Sequence, residues 1–269
     1  MQQAPFPETS SYPRRIASLS DEATELIYLL GEQERIVGVS GFSTRPPEVK
    51  SKPKISTFRD ANFDAIARLD PDLIITYSDV QAEVTRQASL RGFPVLNCNQ
   101  RSLAEIFDTI SLIARILGKQ TRGDELIDGY RSELNSIAEA AHAFRFRPRV
   151  FFEEWNDPLI SGIEWVEQLV EMAGGEPVFP ELRCKGKAND RVVSPDSVIE
   201  RNPDVIIASW CGMKVKMSEI VSRPGWDQIA AVRNQHLFEI HSSCILQPGP
   251  AALTEGVRQL HAILSRVAA

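Results

Sequence analysis

Residues 118–144 read GKQTRGDELIDGYRSELNSIAEAAHAF. Leu126, Ile127, Tyr130, Leu134, Ile137, Ala138 and Ala141 recur at the three-and-four spacing of an amphipathic helix, with polar residues on the other face. The spacing predicts one unbroken helix. Roughly 25 helical residues span about 37 Å, more than a small lobe needs internally. Thr121 is placed to cap its start, with Asp124 and Glu125 in the first turn where the helix dipole favours acids. Gly123 and Gly129 each weaken it by about 1 kcal/mol relative to alanine. Pro148 helps to end it.

The same sequence unit flanks this stretch on both sides. Before it stands ARLDPDLIITYSD (67–79); after it stands IERNPDVIIASWC (199–211). Each reads as a helix end, an Asp/Asn-Pro-Asp turn, a buried strand and a polar or aromatic loop. Twin α/β lobes with parallel sheets, joined by one long helix and holding a cleft between them, follow from that repetition. A Pro-Asp turn before an aliphatic strand is also common in any α/β protein, so a single domain remains the alternative at this point. The two-lobe reading divides the chain into a flexible lead (1–14), an N-terminal lobe (15–117), a linking helix (118–147) and a C-terminal lobe (148–269).

The chain in order supports an α/β class. Strand patterns begin at Arg15, Arg35, Lys54, Leu73, Pro94, Arg149, Val205 and His236, and helical patterns alternate with them over short connections. Ser20 before Asp21-Glu22, and Ser194 before Pro195-Asp196, are helix-start signals. Residues 157–162 (DPLISG) read as a loop, and residues 189–193 as a strand or extended segment.

Composition narrows the function. The chain has 269 residues, 43% hydrophobic and 25% charged, with a net charge of −6. That balance argues against nucleic acid, which selects a basic face. No run of 18 apolar residues predicts a membrane span. Residues 1–15 carry no apolar segment of a signal peptide, which points to the cytoplasm, or to the periplasm if a leader has been removed. Cys98, Cys184, Cys211 and Cys244 form no CxxC pair. They read as scattered thiols of a reducing compartment, with pairing in an oxidising one as the alternative.

Chemistry-bearing residues gather after strands, where α/β sheets bind ligands. Glu153 and Glu154 are adjacent at a strand end and alternate faces, so one can point into the cleft. Trp155, Trp210, Cys211 and His241 follow strands as well, and Asp190-Arg191 and Arg223–Trp226 add charge and aromatic surface. Glu154, Cys211 and His241 have residue types suited to a transition metal but no local ligand spacing. Cys211 as a nucleophile would need a base such as His241 in contact. No catalytic residue and no resident metal or cofactor is expected.

The order of "VGVS", a Pro-Pro loop, "PDLII", "SGIEWVEQLVEMAGGEPVF" and "VSPDSVIERNPDVII" resembles the class III periplasmic substrate-binding proteins, the cobalamin, siderophore and haem binders of ABC importers. The likeness runs from Arg15 to Val267 and is nearest to the cobalamin-binding members. It implies two lobes on one long helix, a ligand between them, and no covalent chemistry. By that resemblance Phe42, Phe58 and Tyr77 fall where first-lobe aromatics line the cleft, Phe58 standing where tryptophan is common. Leu159 and Asp190 occupy aromatic positions of the second lobe. Glu154, Trp155, Arg191, Trp210, Cys211, His241 and Gln247 complete the expected ligand surface. Asp64 and Asp196 match the acids, one per lobe, that dock onto permease arginines. The implied ligand is a corrinoid, bound as cargo rather than cofactor, with iron-siderophore or haem as the alternative. The expected partners are that small molecule and an ABC permease, and the protein is expected to be a monomer. Without a permease, the fold would serve a cytosolic carrier, sensor or enzyme.

Overall fold

The computed structural model describes residues 12–269, so most of the expected lead lies outside the described residues. The chain divides into two compact units. The first runs up to Asn99 and takes in Asp108–Glu125; the second comprises Gln100–Phe107 and Leu126–Ala269.

The first unit is built on β1 (Ile16–Ser18), β2 (Ile36–Ser40), β3 (Lys54–Ser56), β4 (Leu73–Tyr77) and β5 (Val95–Cys98). Their order is β3-β2-β1-β4-β5, and every pairing is parallel. Ile16, Ala17, Val39, Ile74 and Ile75 are buried. Near-continuous apolar strands are what a parallel sheet covered on both faces requires. The chain leaves β1 towards β2 and later returns to β4 on its other side, so strand order reverses between β1 and β4. That is where open α/β sheets hold ligands, at the carboxyl ends of the strands. Helix Asp21–Leu29 starts there, with the Ser20 hydroxyl accepting from the Ala23 amide.

The second unit repeats the plan with β6 (Arg149–Asn156), β7 (Leu159–Ser161), β8 (Glu176–Pro177), β9 (Val205–Ala208) and β10 (Leu237–Glu239). The order is β10-β9-β6-β7, with β8 also on β6. β9 and β10 run parallel to β6, whereas β7 is antiparallel. Leu159–Ser161, read as loop from Pro158 and Gly162, is therefore a strand: its three residues are buried and pair back onto Glu153–Asn156. Residues Ala188–Arg191 form a short 3-10 turn rather than a strand, and Val192 then bridges Ile160.

The stretch 118–144 holds a continuous helix, Gln120–Ala141. Thr121 lies inside it rather than at its cap, because the chain turns at Gly118, φ +71°, and the helix starts at once. Ile127, Tyr130 and Leu134 form its buried stripe. Its two glycines differ. A Cβ at Gly123 would lie 2.4 Å from the Ala114 Cβ, so Gly123 permits close approach to helix Leu103–Ile116. Gly129 has open space. Among the described residues no helix is long and apolar enough to cross a membrane.

Candidate functional site

At the carboxyl edge of the first sheet, β2 ends at Ser40 and its loop presents Phe42, 48% exposed. β3 ends at Ser56 and its loop presents Phe58, 38% exposed. The two rings meet edge to face with centroids 6.4 Å apart. Tyr77, half-buried, is the last residue of β4. The structure thus places all three predicted aromatics at one sheet edge.

Both loops are tied to buried groups. The Ser43 hydroxyl donates to Asp21 Oδ1 at 2.6 Å, and Arg45 Nε donates to Glu25 Oε1 at 3.0 Å, pinning the Phe42 loop onto helix Asp21–Leu29. Burial pushes the Asp21 carboxyl above its usual range, while hydrogen bonds from Ser43 and Ser40 and the Lys54 charge pull the other way. Gln81, absent from the predicted site, accepts from the Tyr77 amide at 2.8 Å. It donates to the Leu19 and Phe58 carbonyls at 3.2 and 3.3 Å. Cys98, at the end of β5, has its thiol pushed up to about 12 by burial and then by the Glu22 charge, which leaves it unreactive at neutral pH.

The carboxyl side of the second sheet is organised differently. The adjacent carboxylates do alternate faces, but each meets an arginine. Glu153, 0% exposed, accepts from Arg223 Nη1 and Nη2 at 2.6 and 2.8 Å and from the Trp210 indole at 3.0 Å. The Arg223 guanidinium lies 4.3 Å over the Trp226 ring. Glu154 accepts from Arg191 Nη1 and Nη2 at 2.6 and 3.1 Å. Arg191, 1% exposed, also donates to the Ser161 and Lys185 carbonyls.

Four of the expected ligand residues are engaged within the protein itself in this geometry. Trp210 is 1% exposed with its N–H already engaged, so it packs in the core instead of offering a face. Arg191 and Glu154 are engaged with each other, and Arg191 also holds the Lys185 carbonyl ahead of its own turn. Trp155 packs against the same core and donates its indole N–H to the Asp157 carbonyl at 2.9 Å. Arg223 and Trp226, read as added surface, form the Glu153 network. Sequence spacing could not show that each carboxylate has an arginine partner 37 or 70 residues away.

The remaining predicted residues are accessible. Asp190 and Cys211 are exposed, and Gln247 is half-buried. His241 is exposed and caps helix Ser242–Ile245, its Nδ1 accepting from the Ser243 amide at 3.2 Å. Among the described residues, no group of three or more His, Cys, Asp or Glu could hold a metal ion. Asp64 and Asp196 are both exposed first-turn acids, each two residues beyond a capping side chain. Asn62 accepts from the Ala65 amide, and Ser194 from the Ser197 amide.

The chain is similar to known proteins in sequence and in structure. The chain is 28% identical over 258 residues to the uncharacterized ABC transporter substrate-binding lipoprotein YvrC of Bacillus subtilis (strain 168), covering 92% of this chain and 79% of that protein. It is 26% identical over 243 residues to a vitamin B12-binding protein of Vibrio parahaemolyticus, covering 89% and 85%. The apo periplasmic heme-binding protein RhuT from Roseiflexus sp. RS-1 superposes with a TM-score of 0.78 at 26% identity, covering 93% of this chain and 99% of that one. A family model described as "Periplasmic binding protein" matches residues 16–244, a span that takes in β1 to β10. The chain belongs to the periplasmic binding protein family, the substrate-binding components of ABC importers.

Proposed function

We propose that this protein captures a bulky, flat small ligand, a corrinoid in the first place, on the aromatic carboxyl edge of its first sheet, for delivery to an ABC permease. The observation that carries the proposal is the exposed Phe42–Phe58 pair beside Tyr77, held on loops that buried side chains fix in place. Aromatic faces bury large apolar area against a macrocycle with few directional demands. Fixed loops lower the ordering cost of binding. The B12-binding relative from Vibrio parahaemolyticus supports the corrinoid reading, and the likeness to a heme-binding protein supports haem as the second. Members of the family bind and hand over their cargo, so the ligand is transported and not transformed.

Absorbance titration of the purified protein with cyanocobalamin, hemin and a ferric hydroxamate chelate tests this reading. Saturable spectral shifts with cyanocobalamin support the corrinoid, and shifts with hemin alone move the assignment to haem. No shift with any of the three removes the proposal.

Asp64 and Asp196 are proposed as the permease contacts, since both are exposed acids at capped helix starts. Reversing both charges (Asp64→Lys with Asp196→Lys) should abolish uptake while leaving ligand affinity within about twofold, because neither side chain is buried. Unchanged uptake by the double variant contradicts the assignment.

A further inference from the structure

We propose that Gln81 is the positioning residue of the ligand surface: its buried amide fixes Phe58 and Tyr77 in the arrangement that binds. The proposal rests on the first sheet edge being that surface.

Gln81 is 3% exposed, and its side chain reaches backbone atoms in three places. Its carbonyl oxygen takes the Tyr77 amide of β4; its NH2 group gives one hydrogen bond to Leu19, just beyond β1, and one to Phe58, beyond β3. An amide offers one oxygen and two N–H donors, so this set engages both ends of the group. β3 lies two strands from β1. The Phe58 loop therefore folds back across the sheet edge, and the Gln81 contact fastens it there.

The local backbone makes the same point independently. Ser78 follows Tyr77 directly and has φ +48° and ψ −174°, a conformation that side-chain-bearing residues rarely adopt. Such strain persists only where surrounding bonds over-determine it, and it concentrates at functional sites. Here the Ser78 amide donates to the Cys98 carbonyl at 2.7 Å, and Asn97 donates to the Ser78 carbonyl at 3.1 Å. The bend returns the chain so that Gln81 lies within reach of Tyr77.

Simple capping does not account for this. Ser78-x-x-Gln81 has the spacing of a capping box, in which Gln81 would bond the Ser78 amide. That amide is used by Cys98, and Gln81 reaches past it to Tyr77, Leu19 and Phe58. The residue type is also specific. A carboxylate would keep the bond to Tyr77 but set a negative oxygen against two carbonyls.

The test uses Gln81→Met, of similar volume, and Gln81→Glu, which keeps only the acceptor. Affinities and dissociation rates are measured with cyanocobalamin and hemin, with thermal melts alongside, in the wild-type and Phe58→Ala backgrounds. Gln81→Met is expected to bind roughly tenfold more weakly, through faster dissociation, because a broken buried hydrogen bond loosens the surface. Gln81→Glu should be weak near pH 8 and recover towards about pH 5, where a protonated carboxyl can donate again. On the Phe58→Ala background the Gln81→Met loss should shrink to under about twofold, since coupled residues are non-additive. Wild-type affinity in Gln81→Glu at both pH values, or an undiminished Gln81→Met loss without Phe58, overturns the proposal while leaving the ligand surface intact. Gln81→Glu decides the matter if Gln81→Met does not fold. A wild-type protein that binds neither probe removes the surface itself and this inference with it.

Discussion

The two sheets end in opposite ways. At the first carboxyl edge two phenylalanines stand in solvent; the neutral Gln81 amide holds the Phe58 loop, and the Ser43–Asp21 and Arg45–Glu25 contacts hold the Phe42 loop. At the second, Trp210 and Trp226 are buried, and the polar groups are two arginine–glutamate pairs. Equivalent positions of one architecture have thus been put to different uses. The first edge leaves apolar surface for something else to cover; at the second the glutamates and arginines engage one another, while the buried Ser209 hydroxyl and Trp226 indole N–H have no hydrogen-bond partner among the described residues. Burying an ion pair without water is costly unless every hydrogen bond is made, and the Glu153 network makes three. The contrast teaches that an aromatic or charged residue after a strand is a ligand contact only if the fold has not already claimed it.

The largest test of that contrast removes a claimed group. Glu153→Ala leaves Arg223 and the Trp210 N–H without their acceptor and should cost roughly 3–5 kcal/mol. All four tryptophans lie in the second unit, so urea unfolding followed by tryptophan fluorescence reads it directly. Phe42→Ala and Phe58→Ala should change stability by less than about 1 kcal/mol, because their rings are exposed. Equal losses at both edges would erase the distinction.

A smaller effect is expected from pH. Glu167 is buried against Gly162, where a Cβ would lie 2.1 Å from Oε1. Burial chiefly pushes its pKa up to about 8, with Arg191 and Arg183 opposing and Glu171 and Glu154 assisting. Its ordinary value is 4.5, so between 4.5 and about 8 the folded state holds a proton that the unfolded state has lost. The stabilisation is complete below 4.5 and disappears as pH rises through about 8. Glu167→Gln should abolish that slope and exceed the wild type by roughly 2–4 kcal/mol near pH 9. Parallel stability–pH curves for the two proteins would show that Glu167 is not held neutral.

Binding should follow the opposite edge. Phe42→Ala and Phe58→Ala are each expected to weaken cyanocobalamin or hemin binding by roughly 1–2 kcal/mol, read by absorbance titration. Retained affinity in both would place the ligand elsewhere. The smallest expected effect concerns the helix that runs from one unit into the other. Gly129→Ala should stabilise by about 1 kcal/mol, as helix propensity alone dictates. Gly123→Ala should destabilise, because its methyl would overlap Ala114. Thermal melts showing the same sign for both would contradict the packing at Gly123.

Much of the fold was legible because it is periodic. The three-and-four spacing from Leu126 to Ala141 and the paired Pro-Asp-aliphatic units carry local geometry in local sequence. β7 was not legible, since Pro158 and Gly162 bracket only three strand residues and mask them as loop. At the site, Phe42, Phe58 and Tyr77 were legible through the family resemblance rather than from residue spacing alone. The fates of Trp210, Glu154 and Arg191 were not, because burial depends on partners distant in sequence. Gln81 left one trace, the Ser-x-x-Gln spacing, but its reach to Leu19 and Phe58 is a property of the folded sheet.

Hydrogen exchange with and without saturating cyanocobalamin or hemin tests whether ligand is held on the first sheet's aromatic edge. New amide protection is expected on that sheet's edge loops, at residues 41–43, 57–60 and 77–81. Protection absent from all three segments, with either probe bound, would contradict that placement.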